Sequence, residues 1–96
     1  MDDISITLKY FATIRDIIGK KEESLSLKKG HSVMDLLIKL AEIYGEKISQ
    51  FIFDEKGEIR ENLTFLINGQ AIKNENLNRK LKDGDVFVIL PPISGG

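Results

Sequence analysis

The 96-residue chain has no cysteine, no tryptophan, one histidine and two prolines. Without cysteine it can form no disulfide and offers no thiolate nucleophile or thiolate metal ligand. His31 alone cannot build a histidine metal centre. Neither sign of charge is in excess: 14 Lys plus Arg stand against 15 Asp plus Glu, a formal net charge of −1. Nucleic-acid binders carry a basic stripe. Here the Lys20-Lys21 and Lys28-Lys29 pairs are offset by nearby Glu22 and Glu23, so no nucleic-acid partner is expected. No apolar run approaches the roughly 18–20 residues that a membrane span requires. The first residues, Met1-Asp2-Asp3, are acidic where a signal peptide is basic. The expectation is a cytoplasmic protein with no membrane partner, in a compartment where lacking disulfides costs nothing. The length suits one domain.

Hydrophobic content is 42% and charged content 30%, enough for one ordinary core. Residues 4–11 alternate, with Ile4, Ile6, Leu8 and Tyr10 on one face and Ser5, Thr7, Lys9 and Phe11 on the other, which predicts a half-buried strand. Thr13-x-x-Asp16 resembles a capping box, and Ile14, Ile17 and Ile18 share a helical face before Gly19, so a short helix is predicted over 13–18. Residues 20–24 are a charged loop or the start of a strand that runs through Ser24 to Leu27. A turn follows at 28–31. Ser32 with Asp35 three residues on opens the best helix, 33–44, carried by Leu36, Leu37, Leu40, Ala41 and Tyr44 and stopped by Gly45. Residues 46–61 read as a short hairpin or irregular excursion. A strand over 62–67 turns at Asn68-Gly69, a type I′ signal, and returns over Gln70 to Ile72. Leu77 and Leu81 anchor a helical turn, Asp83-Gly84-Asp85 turns again, and Val86 to Leu90 is a continuous apolar strand of the kind found at a sheet centre.

This order predicts an α+β fold: a mixed sheet, one main helix across it, and first and last strands central and parallel, the β-grasp arrangement. The domain is expected over 1–90, with residues 91–96 as an extended tail.

Both prolines fall in that tail, Pro91-Pro92-Ile93-Ser94-Gly95-Gly96. Proline donates no backbone hydrogen bond, so Pro91 ends the strand and Pro92 keeps the exit extended. Six residues reach about 20 Å, enough to enter a partner's cleft. Gly95 and Gly96 lack Cβ atoms, pass a narrow channel and leave the last carbonyl carbon open to attack. A free carboxylate there is ionised at neutral pH and a poor electrophile, so acyl chemistry on it needs activation, for which adenylation suits. A passive, frayed terminus is the competing reading.

The stretch Phe11-Ala12-Thr13-Ile14-Arg15-Asp16-Ile17-Ile18-Gly19 resembles the F-A-x-x-R-[DE]-x-x-G segment of the small subunit of molybdopterin synthase, the MoaD type. Asp83-Gly84-Asp85-Val86 and the Pro-Pro-x-x-Gly-Gly ending resemble further segments of that family, and Ile67-Asn68 stands where it has Val-Asn. The resemblance covers nearly the whole chain and is weakest at 45–61. It implies a ubiquitin-like sulfur carrier that is no enzyme by itself. An E1-like enzyme adenylates the Gly96 carboxylate with ATP, sulfur from a donor makes a thiocarboxylate, and the tail enters the large synthase subunit to deliver sulfur to a pterin precursor. This chain would bind no cofactor and no metal, ATP being used by the activating partner. Phe11, Ala71 and Leu90 would form the partner-docking surface beside the tail.

Two other roles share the Gly-Gly end: a modifier conjugated to lysines through Gly96, and a thiazole-pathway carrier, although such carriers look shorter and lack the Pro-Pro exit. A plain adaptor with an inert tail is a third. Arg15 reads as a local ion-pair former and His31 as a loop histidine. Lys80 and Lys82 are expected to flank the base of the tail. No nucleophile–base pair and no phosphate-cradling glycine loop is present, so catalysis by this chain alone is not expected.

Overall fold

The computed structural model describes residues 3–72 and 76–91. Their elements run β1 (Asp3–Tyr10), α1 (Ala12–Ile18), β2 (Glu22–Lys28), α2 (Val33–Tyr44), α3 (Glu46–Ile52), β3 (Thr64–Ile67), β4 (Gln70–Ile72) and β5 (Val86–Leu90). The five strands form one sheet in the order β2-β1-β5-β3-β4. β5 lies parallel to β1, with Leu8 opposite Phe87, and antiparallel to β3, with Phe65 opposite Ile89. The helices cover one face and the other stays open, which is the β-grasp fold. No helix among the described residues is long and apolar enough to cross a membrane.

Strand alternation builds the core. Ile4, Ile6, Leu8 and Tyr10 of β1 are buried, as are Phe65 and Ile67 of β3 and Phe87 and Ile89 of β5. They meet Leu36, Leu37 and Leu40 of α2 in one cluster. The Phe65 and Phe87 rings stack with centroids 5.7 Å apart.

α2 begins where its capping residues dictate. The Ser32 hydroxyl accepts the Asp35 N–H (3.3 Å), and the Asp35 carboxylate accepts the Ser32 N–H (2.8 Å). The next two N–H groups, which no helix can pair internally, go to the Arg79 carbonyl from Val33 (3.0 Å) and the Leu77 carbonyl from Met34 (2.9 Å). The expected helical turn is present at Leu77, closed by the Arg79 N–H donating to the Asn76 carbonyl (3.1 Å), and residues 77–81 also serve as a strap across the helix start, with Leu77 and Leu81 buried. Lys80 bridges to Ser32 in this strap.

Two elements differ from the sequence reading. α1 starts at Ala12 and is entered from an extended Phe11 with no side-chain cap, so Thr13 and Asp16 do not act as a capping box. The segment 46–61 holds a helix, α3, before its hairpin-like bridge of Phe53 to Ile59. Ile48 and Ile52 stand four residues apart and are both buried, the helical spacing that a hairpin reading overlooks. Gly45, at φ 81°, ends α2 and starts α3 without an intervening loop; a side chain would be strained there.

Glu23 of β2 faces inward and is held by three donors. The Tyr10 hydroxyl donates to it at 2.5 Å, Tyr44 of α2 donates to the same oxygen, and the Lys20 ammonium lies 3.3 Å from the other. Burial pushes the Glu23 carboxyl up, but the hydrogen bonds from Tyr10, Tyr44 and Lys20 outweigh it and hold the group below its usual range. Burial and then the bond to Glu23 push the Tyr10 phenol well up. This clasp joins β1, β2 and the end of α2.

The root of β5 is tied just as closely. Asn68 and Gly69, at φ 51° and 85°, make the type I′ turn that Asn-Gly foretells. The Asn68 side-chain amide donates to Asp85 Oδ1 (2.9 Å) and its oxygen accepts the Val86 N–H (2.9 Å), while the Asn68 N–H donates to the Val86 carbonyl (2.8 Å). Asp85 is buried at 8% exposure, and its second oxygen accepts the Lys82 N–H (2.8 Å). Asp83 accepts the Ser5 N–H (2.8 Å), and the Ser5 carbonyl accepts the Gly84 N–H (2.8 Å). The Asp-Gly-Asp segment therefore fastens β1 on one side and the β3–β4 turn on the other.

Replacing Glu23 with Ala leaves the buried Tyr10 hydroxyl unpaired and should lower stability by about 1–3 kcal/mol at pH 7. A carboxyl lowered on folding stabilises fully above its unfolded pKa, about 4.3, and loses that contribution as pH falls through the lower folded value. The stability difference between the parent and Glu23→Ala in urea unfolding should therefore narrow as pH falls through the lowered folded value; a difference that stays constant with pH would refute the clasp as an ionised one. Asn68→Gly keeps the positive φ and removes only the side-chain bonds. It should cost about 1–3 kcal/mol and speed hydrogen exchange at Val86, as read by NMR.

Candidate functional site

β5 is the strand from which the tail departs, so its free face and its end define the site. Phe87 and Ile89 point into the core, and Val86, Val88 and Leu90 lie half-exposed on the open face. The registers Lys9 to Val88, Val88 to Leu66 and Leu66 to Ala71 set these four side chains in one row across β1, β5, β3 and β4. Directly opposed residues share a face. The row is apolar from Val88 to Ala71, about 10 Å at two strand spacings, and Lys9 closes it on the β1 side.

Leu90 stands one row nearer the tail, opposite Thr64. The β1–β5 pairing ends at Tyr10 opposite Ile89, and the next residue, Phe11, takes the position beside Leu90. Its backbone is still extended (φ −133°, ψ 155°), so strand alternation continues and sends its ring off the core, where it is 43% exposed. Ala12 then reverses the chain at φ 51°, a left-handed conformation costing about 1–2 kcal/mol for a residue with a Cβ. That reversal takes α1 away and leaves Phe11 standing at the rim.

The structure thus sets Phe11, Leu90 and Ala71 on one face. Phe11 and Leu90 are neighbours, while Ala71 stands apart on the outer strand, joined to them through Leu66 and Val88. Leu66 was missed because it sits inside the run Phe65-Leu66-Ile67, where alternation is invisible between three apolar residues. The burial of its two neighbours is the signal, since Leu66 must then face outward. Pro91 follows Leu90 with no backbone pairing. The other tail residues named from the sequence, Pro92, Ile93, Ser94, Gly95 and Gly96, lie outside the described residues.

Lys80 and Lys82 do not flank the tail. They precede β5 and lie at its opposite end, one strand length or about 17 Å away, because the chain enters β5 there. His31 lies in the turn before α2, where its carbonyl accepts the Leu81 N–H (2.9 Å). Among the described residues no group of three or more His, Asp or Glu side chains is placed to hold a metal ion.

An apolar strip, a rim aromatic and an unpaired exit can hold a partner and present a chain end. Residues 8–96 match the model of the ThiS family. Small archaeal modifier protein 3 of Haloferax volcanii is 29% identical over 94 residues, covering 97% of this chain and 100% of that protein. The molybdopterin synthase sulfur carrier subunit of Chlamydomonas reinhardtii is 28% identical over 93 residues, 97% of this chain and 100% of that one. The solution structure of small archaeal modifier protein 1 from Methanosarcina acetivorans has a TM-score of 0.80 at 37% identity, with 100% of both chains covered. The chain belongs to the ThiS family and has the ubiquitin-like fold of its small sulfur carriers.

Proposed function

We propose that this chain is the sulfur-donating small subunit of a molybdopterin synthase, working through Gly96. The observation that carries the reading is the Pro91-Pro92-Ile93-Ser94-Gly95-Gly96 segment, which follows in sequence directly on the central strand β5. β5 is fastened on both sides, so a partner that grips the open face holds the start of the tail in a fixed direction.

An E1-like enzyme would seat Val88, Leu66, Leu90 and Phe11 and receive the tail. The Gly96 carboxylate then attacks the α-phosphorus of ATP and releases pyrophosphate. Sulfide from a sulfur donor attacks the acyl carbon, AMP leaves, and a thiocarboxylate remains. The large synthase subunit would take the same tail and accept the sulfur onto its pterin substrate, with water restoring the Gly96 carboxylate. The chain needs no bound cofactor for this, since ATP belongs to the activating enzyme, and its lack of cysteine fits a carrier whose sulfur rides on the chain end. The name of the Chlamydomonas relative supports this pathway.

A second reading, conjugation of Gly96 to lysines of other proteins, has support from two relatives named as archaeal modifiers. It shares the adenylate and diverges at the acceptor.

Incubation with an activating enzyme, ATP and a sulfur donor should raise the mass of the intact chain by one oxygen-for-sulfur exchange, and deletion of Gly96 should abolish the change. An unmodified mass alongside a working control carrier would refute the reading. Gly-Gly remnants on lysines of digested lysate, without pterin product on adding a large subunit, would favour the modifier. Leu66→Lys should leave the circular dichroism spectrum unchanged and weaken binding to the activating enzyme at least about tenfold, as measured by titration calorimetry, since a charge is desolvated in the middle of the row.

A further inference from the structure

β2 is the long outer strand of the sheet and its far side pairs with nothing among the described residues. The Ser5 N–H and carbonyl are taken by Asp83 and Gly84, so neither points at β2. Ser26, opposite Ser5, is therefore a position whose own N–H and carbonyl point outward. By alternation Glu22, Ser24 and Lys28 do the same. One group covers this edge: the Lys39 ammonium, reaching from α2 to the Ser26 carbonyl at 3.0 Å.

Reversed about Leu25, the edge sequence Glu22-Glu23-Ser24-Leu25-Ser26-Leu27-Lys28 repeats its middle, Ser24-Leu25-Ser26, and brings Glu22 opposite Lys28 and Glu23 opposite Leu27. In antiparallel pairing about a two-fold axis at Leu25, Ser24 opposes Ser26 of the second copy and Glu22 opposes Lys28. All four outward positions then form hydrogen-bonded pairs, and each end of the ladder carries an opposite-charge pair. Sliding by two residues sets Glu22 against Ser26 or Ser24 against Lys28 and loses both charge pairs. Sliding by one opposes outward groups to inward ones. Ile43, one helical turn beyond Lys39 on the same flank of α2, is 48% exposed.

We propose that the β2 edge is a self-association surface that pairs two copies of this chain antiparallel in the Glu22-to-Lys28 register, with Lys39 competing for it through the Ser26 carbonyl. Pairing displaces the Lys39 ammonium to solvent and joins the two sheets into one. The interface is narrow, a single strand ladder with one flanking side chain, and so gives a transient dimer.

Sedimentation equilibrium of the full chain at low ionic strength tests this. The parent should dimerise reversibly, and Lys39→Met should lower the dimer dissociation constant about fivefold or more. Glu22→Lys should raise it by a similar factor, and Glu22→Lys combined with Lys28→Glu should restore it. Glu22 and Lys28 are exposed and Lys39 is half-buried, and circular dichroism checks that each variant folds. Parent and Lys39→Met chains that both remain monomeric to about 1 mM overturn the proposal, and a dimer indifferent to the charge exchange overturns the register. Leu25→Cys supplies a separate readout, since the chain has no other cysteine. Two such residues would meet at the axis as a non-hydrogen-bonded pair, Cα atoms about 4.5 Å apart, within disulfide reach. Mild oxidation should give a covalent dimer, and its absence counts against the pairing.

Discussion

The structure depends on the parallel pairing of the first strand with the last. Four residue pairs, Thr7 with Val86 to Tyr10 with Ile89, join the two ends of the domain. A parallel pair cannot be closed by a tight turn, so residues 11–85 are all crossover. They return over one face only, which is why α2 and α3 cover one side of the sheet and leave the other bare. Bringing such distant residues together is entropically expensive. The bonds from Asp83, Gly84 and Asp85 to β1, and from Asn68 to Asp85 and Val86, concentrate where that closure must be held.

The same pairing sets the site. With β5 at the centre, its alternate residues are buried or face the open side, and the row from Val88 to Ala71 follows from register alone. The tail's starting direction is likewise the direction of β5, tethered at Val86 and paired on both flanks through Ile89. On the proposed function the chemistry lies at Gly96, and the domain's contribution is mechanical: hold one strand firmly and offer an apolar face beside its exit. That explains why the charged side chains with structural work, Glu23 and Asp85, are turned inward or spent on backbone groups.

How much of this could be read from residues depended on whether local spacing and tertiary role agreed. β1, α2, the Asn68-Gly69 turn and β5 were legible because alternation, a Ser32–Asp35 box and a turn dipeptide each speak within a few residues. α3 was obscured because Phe51-Ile52-Phe53 looks like a strand, although Ile48 and Ile52 supply the helical spacing. α1 begins without a capping side chain, since Ala12 takes a left-handed turn that no local propensity announces. Asp85 looked like an ordinary turn carboxylate, and only the fold brings Asn68 to it from 17 positions away. On the open face, Phe11 and Leu90 could be named by parity and family likeness, whereas Leu66 needed the burial of Phe65 and Ile67. Lys80 and Lys82 were set at the wrong end because closeness in sequence to β5 says nothing about which end of the strand a residue lies beside.

The strand order also separates the roles the sheet can play. β4, the outer strand on one side, spans three of the described residues, whereas β2 has seven and a lysine laid over it. Edges of that length invite pairing unless covered, and a single ammonium bonded to one exposed carbonyl is a weak cover, since it gives up little on release. A second copy bound along β2 would sit three strand spacings from β5, about 14 Å from the apolar row, and on the side away from Leu66 and Ala71. Self-association and gripping of the open face are then compatible in one molecule, with Lys9 of β1 marking the boundary between them. The arrangement follows from one topological fact: the strand that carries the tail is central, so the edges are left free for something else.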